Sequence, residues 1–247
     1  VLHSYACRGG QLTLIADEPS SDDVAKGNWA EGLWIDLVSP DAAELAMVSA
    51  QTGLAVPGEA DLAEIESSSR LSSTSSPTGA VLTLSMPTMR LTADGAAAVP
   101  LGIVLSPERL VTVRFAPSQV FQNFVIREGT IVKPGSAEIL VGLLEALVDR
   151  QADALEQMRA DIDRLSHHIF HIKLDPEGKH AGAKRRQQES DLREMVATLG
   201  RIYDQVSLVR DSQLGIGRIV PYVTAVADWM PKGLNARLKT ISRDVSS

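Results

Sequence analysis

The spacing of apolar and polar residues changes period once along the chain, near Pro134-Gly135. Before that point, short apolar runs are bounded by turn residues every ten positions or so, which is how strands and short helices read in sequence. Gln11 to Ala16 and Leu33 to Leu37 predict strands. Ser39-Pro40-Asp41 supplies a helix start, with Ser39 as cap and Glu44 nearby, for an Ala-rich helix that runs to about Thr52 and ends at Gly53. A second short helix is predicted from Pro57 to Ile65, and the Ser-dense stretch Ser67 to Thr78 reads as loop. Val81 to Leu91, Leu101 to Leu105 and Leu110 to Phe115 carry alternating apolar residues, with turns at Asp94-Gly95 and Ser106-Pro107-Glu108. They predict an antiparallel meander.

Beyond Pro134-Gly135 the period is helical. Leu155, Met158, Ile162, Leu165, Ile169 and Ile172 step by three and four, the a/d seam of a coiled coil, and Leu140, Leu144 and Leu147 extend it backwards. A second seam runs through Leu192, Met195, Leu199, Ile202, Val206 and Val209. Asp175-Pro176-Glu177-Gly178 breaks the helix between them, so the two are expected to pair antiparallel. A helix from Ser136 to Lys173 would be about 57 Å long and would protrude from the strand-rich half. Pro221 and Pro231-Lys232-Gly233 punctuate the chain before Leu234, Leu238, Ile241 and Val245 begin a third stripe. That stripe is still amphipathic at Ser247, so the helix is expected to continue past it.

The predicted fold class is therefore α+β. An N-terminal α/β domain with a mostly antiparallel central sheet occupies 1–133, long paired coiled-coil helices occupy 134–233, and the start of a further helix occupies 234–247. With 44% hydrophobic, 22% charged and only 4% aromatic residues, the core must be built from Leu, Ile, Val and Ala. A net charge of −7 disfavours nucleic acid and anionic lipid and makes cations the natural partners. Cys7 is the lone cysteine, so no internal disulfide forms and a reducing compartment fits best. No stretch reaches the ~20 apolar residues of a membrane span, and the chain does not begin like a secretory signal, so the polypeptide is expected to be soluble.

Candidate chemistry sits on the first long helix. Glu145, Asp149, Asp153, Glu156, Asp163, His167 and His171 recur at steps that place them on one stripe. Such a stripe raises the local cation concentration, and a hydrated divalent ion accepts a diffuse field of carboxylates without a closed cage. Asp163, His167 and His171 are successive i, i+4 neighbours and form a candidate zinc or nickel ligand set. The same charges also serve as the solvated face that a coiled coil needs. Lys173, Lys179, Lys184, Arg185 and Arg186 cluster at the helix connector, where lipid headgroups or plain solvation account for them. No phosphate-binding Gly-rich loop, HExxH motif or nucleophile elbow is present, and catalysis is not expected.

Trp34-Ile35-Asp36-Leu37 with Pro40 and Glu44, Glu64-Ile65-Glu66 followed by Ser68-Ser69-Arg70-Leu71, the strand Leu110-Val111-Thr112-Val113-Arg114, and the helix from Leu143 to Phe170 occur in the order seen in one family. The chain resembles the CorA family of pentameric divalent-cation transporters. The resemblance implies a cytoplasmic α/β domain, two long willow helices, and a stalk helix beginning near Leu234 that leads into two membrane spans with a Gly-Met-Asn signature. It also implies a location at the cytoplasmic face of a bacterial-type inner membrane. Magnesium, cobalt, nickel or, in one branch, zinc would be the ion concerned. Regulatory metal in that family joins acidic side chains of neighbouring subunits, which makes Asp244 a stalk-side candidate and Asp94 a candidate on the α/β side.

The expected function is that of a cation-sensing, gate-coupling domain, acting within a homopentamer and anchored through spans outside these residues. The alternative is a coiled-coil scaffold that recruits a protein partner and has no metal role.

Overall fold

The structure, a computed structural model, describes residues 1–17, 28–63, 71–92, 95–127, 135–171 and 181–246. Among these residues, seven strands form one sheet: β1 (Leu2–Arg8), β2 (Gln11–Asp17), β3 (Trp34–Val38), β4 (Leu71–Ser76), β5 (Gly79–Thr92), β6 (Gly95–Leu105) and β7 (Leu110–Arg114), in the spatial order β2-β1-β3-β7-β6-β5-β4. Every pairing is antiparallel except β3 with β7, where Asp36 stands opposite Thr112. The chain is thus α+β with a mostly antiparallel sheet, and β5 to β7 form the expected meander.

Among the described residues, six α-helices accompany the sheet: α1 (Ala42–Thr52), α2 (Glu59–Leu62), α3 (Gln119–Arg127), α4 (Ser136–His171), α5 (Ala181–Val226) and α6 (Leu234–Asp244). The period-two pattern gives β3 and β7 two apolar faces, so the sheet is covered on both sides. Ile35, Leu37, Val111 and Val113 pack against Val48 of α1, Leu62 of α2 and Trp29. Trp34, Leu84, Met86 and Leu110 pack against α3, the first turns of α4, the end of α5, and α6. The larger of the two cores therefore joins sheet and long helices.

Local chemistry accounts for the element ends. At α1 the cap is Asp41, not Ser39: its carboxylate accepts from Glu44 N–H at 2.7 Å while Glu44 accepts from Asp41 N–H at 3.0 Å, a reciprocal capping box. Gly53 closes the helix in the left-handed conformation, φ 70°, which an L side chain resists. At the start of α4, Gly135 N–H is held by Glu138, and the buried Ser136 hydroxyl donates to Ser106 carbonyl at 2.6 Å.

Four expectations need correction. Leu71–Ser76, read as loop, is strand β4 at the sheet edge. An edge strand with one face in water needs little apolar alternation, and Leu71 alone anchors it opposite Leu84. The first strand, β1, and helix α3 carried no pattern that was recognised. Pro221 does not end α5, which continues to Val226 because Ile219, Val220 and Val223 are buried around it and compensate for one missing backbone bond. The seam on α5 is only half used: Met195, Ile202 and Val209 are buried, whereas Leu192, Leu199 and Val206 are exposed. Likewise Met158 of α4 is buried while Leu155 and Ile162 are exposed.

Candidate functional site

The acidic stripe of α4 is real and lies on its outer face. Asp149, Asp153, Glu156 and Asp163 are exposed, as is His167. Glu145, Asp149 and Asp153 line one shallow groove of about 240 Å³ together with Asn123 of α3 and Arg150. Glu145 is where the stripe meets the rest of the molecule. Its carboxylate accepts from Arg237 of α6 in a bidentate pair, Nε at 2.8 Å and Nη2 at 2.5 Å, and both side chains are little more than a third exposed. The geometry is the fork-on-carboxylate arrangement that makes such pairs directional. It ties α6, whose Leu234, Leu238 and Ile241 are buried, to the first end of the stripe.

Among the described residues, the candidate metal ligands of α4 and α6 lie at separate places in this chain. Asp163 and His167 stand a turn apart on exposed α4, and His171 is the last residue of that helix. Asp163 lies eighteen residues beyond Glu145, about 27 Å along the helix axis, far from where α6 docks. Asp244 is exposed at the end of α6, with Arg243 Nε 3.6 Å from its carboxylate. Asp94 lies outside the described residues, as does the connector over 172–180. Among the described residues, no group of three His, Cys, Asp or Glu side chains is arranged to hold a metal ion by itself. The groove can attract a hydrated cation through its field; it offers no cage.

Two polar features escaped the sequence reading. One is the pair Asp36 and Arg114: both side chains are buried and bonded to each other, and a charged residue at an inward position of an apolar strand is the signal that marks them. Arg237, between Leu234 and Leu238 on α6, is the other; a cation beside an apolar stripe announces a partner on the facing helix.

A family model described as CorA-like Mg2+ transporter protein matches residues 29–215, about three quarters of the chain. The chain belongs to that family. Among relatives of known role, the magnesium transport proteins CorA of Escherichia coli (strain K12) and Salmonella typhimurium (strain LT2) are each 24% identical over 249 aligned positions, which span all of this chain and 71% of theirs. The same fold occurs in the soluble domain of CorA from Methanocaldococcus jannaschii, with TM-score 0.57 and 13% identity over 100% of this chain and 88% of that one. It occurs again in the ZntB cytoplasmic domain from Vibrio parahaemolyticus, with TM-score 0.55 and 12% identity over 99% and 90%. Membership of the CorA-like family places the chain among metal-ion transport proteins. Among its described residues, no helix is long and apolar enough to cross a membrane.

Proposed function

We propose that this chain is the cation-sensing, gate-coupling domain of a CorA-like divalent metal-ion transporter, acting within a homopentamer at the cytoplasmic face of a bacterial-type inner membrane, with conduction left to a pore that these residues do not form. In this reading residues 1–133 are the α/β platform, 134–233 the paired willow helices, and 234–247 the start of the stalk. The observation that carries it is the Glu145–Arg237 pair, which links the acidic stripe of α4 to α6. A divalent cation drawn to Glu145, Asp149 and Asp153 competes with Arg237 for the same carboxylate. Occupancy of the groove and docking of α6 are then linked, and the linkage works in both directions. Between subunits, the remaining acidic residues, Asp94, Asp163 and Asp244 with His167 and His171, are candidate contacts that magnesium, cobalt, nickel or zinc would screen, holding the closed arrangement.

The test is hydrogen exchange of the α6 amides during titration with MgCl₂, CoCl₂ or ZnCl₂ against NaCl of matched ionic strength. Faster exchange in α6 with the divalent salts, absent in Glu145→Gln, is the expected result. Exchange that is the same in divalent and matched monovalent salt overturns the reading. The exposed apolar stripe Leu192, Val196, Leu199, Tyr203 and Val206 favours a second reading, a partner-binding helix face. Pull-down by a protein partner that Leu199→Lys abolishes would favour it.

A further inference from the structure

Adjoining the acidic groove, and sharing Gln119, Val120 and Arg150 with it, lies a cavity of about 290 Å³ lined by residues of β5, β6, β7, α3, α4 and α5. Its charge is the reverse of its neighbour's. Arg90, Arg114 and Arg150 line it, and among the described residues no Asp or Glu does. In a chain of net charge −7 that is an unusual concentration of one sign.

The three guanidiniums differ in what they have left to give. Arg114 spends Nε and part of Nη2 on Asp36 and part of Nη1 on the Ala116 carbonyl at 2.9 Å, which leaves one N–H on each terminal nitrogen. Its charge is balanced by Asp36. Arg90 and Arg150 are exposed, and no carboxylate among the described residues pairs with either. Two of the cavity's three guanidiniums are thus held in no ion pair among the described residues.

Two further observations converge there. The first turn of α3, Gln119 to Phe121, forms part of the wall, and its peptide N–H groups precede the first intrahelical bond, from Gln122 N–H to Ser118 carbonyl at 3.3 Å. A helix start of this kind favours an anion through its exposed N–H groups and its dipole. Independently, the Gln151 side chain lines the same cavity, is only 8% exposed, and is half satisfied: Nε2 donates to Ser212 at 2.7 Å, while Oε1 is buried with no partner. An orphaned buried carbonyl asks for a hydroxyl or ammonium donor.

From this arrangement we infer that the cavity binds a small phosphate monoester that also carries a hydroxyl group, of the size of a glycerol or sugar phosphate. Two unpaired cations match the charge of about −1.5 to −2 that a phosphate monoester bears near neutrality, whereas a simple carboxylate would neutralise only one of them. Arg90 and Arg150 take the phosphate oxygens with the α3 start behind them, and Gln151 Oε1 accepts from the hydroxyl. Arg150 lines both sites.

The test is calorimetric titration of the 247-residue chain, in metal-free buffer at fixed ionic strength, with glycerol 3-phosphate, inorganic phosphate and glycerol. The site is independent of the cation-sensing proposal, and metal-free buffer keeps the two apart. Saturable one-to-one binding of glycerol 3-phosphate, weakened about tenfold or more in each of Arg90→Gln and Arg150→Gln, is expected. Both substitutions are at exposed positions, and circular dichroism verifies the fold. Gln151→Leu should weaken glycerol 3-phosphate more than inorganic phosphate, and equal effects would remove Gln151 from the hydroxyl contact. No saturable binding below about 10 mM, or unchanged affinity in either arginine variant, overturns the proposal.

Discussion

Arg114 at the end of β7 and Asp36 in the middle of β3 form a buried ion pair, with Nη2 2.8 Å from Oδ2 and Nε within reach of both carboxylate oxygens. Thr112 donates to Asp36 Oδ1 at 2.7 Å and accepts from Trp34 Nε1 at 3.0 Å, so four side chains on two parallel strands form one network. Removing either charge leaves the other buried and unpaired, and Asp36→Ala or Arg114→Ala should each lower stability by about 3–5 kcal/mol. The double variant Asp36→Leu with Arg114→Met should lose much less than the sum. Urea unfolding of the four proteins in a double-mutant cycle checks this.

Tyr5 stacks on Trp34 with ring centroids 4.8 Å apart, and burial, followed by the nearby Asp36 carboxylate, pushes its hydroxyl up from 10.0 to about 12. The unfolded chain releases this proton near pH 10 and the folded chain retains it to about pH 12. Between those values the unfolded state holds fewer protons, so stability falls as pH rises. Below the unfolded value the contribution is flat. Urea midpoints measured on the alkaline side should drop for the wild type, and Tyr5→Phe should flatten that part of the decline.

The two tracks on α5 predict opposite outcomes for similar substitutions. Ile202 is 6% exposed and Leu199 is 45% exposed. Ile202→Ala should cost about 2–5 kcal/mol, whereas Leu199→Ala should stay within about 0.5 kcal/mol. Thermal or urea unfolding of both variants distinguishes a half-used seam from a fully packed one.

Gly79, the first residue of β5, has φ 136°, and a Cβ there would come within 2.7 Å of Trp229 Cδ1. Trp229 is fixed by its Nε1 donating to the Ala80 carbonyl at 3.0 Å. Gly79→Ala should therefore lower stability by about 1–3 kcal/mol and alter tryptophan emission, because strain and displacement act at one point.

What could be read from the chain follows from where its physics is local. The meander β5 to β7, the stop at Gly53 and the start of α4 near Ser136 each depend on neighbours a few residues away, and they were legible. The acidic stripe was legible too, since helical spacing alone aligns Glu145, Asp149 and Asp153. The Arg237–Glu145 pair spans 92 residues and the Arg114–Asp36 pair 78, and no periodicity encodes such meetings. The arginine-lined cavity needs six elements to close around it. The half-empty seam on α5 was misread because heptad spacing reports which side chains share a stripe, not whether anything faces them.

The parallel contact of β3 with β7 sets an order of events during synthesis. Trp34–Val38 must wait for Leu110–Arg114 to leave the ribosome before the middle of the sheet can close. The hairpins β1–β2 and β5–β6 join near neighbours in sequence and can form while that gap is still open. Until the centre zips, each half presents a bare row of peptide groups to other nascent chains, so crowding on polysomes is the moment of greatest risk for this protein.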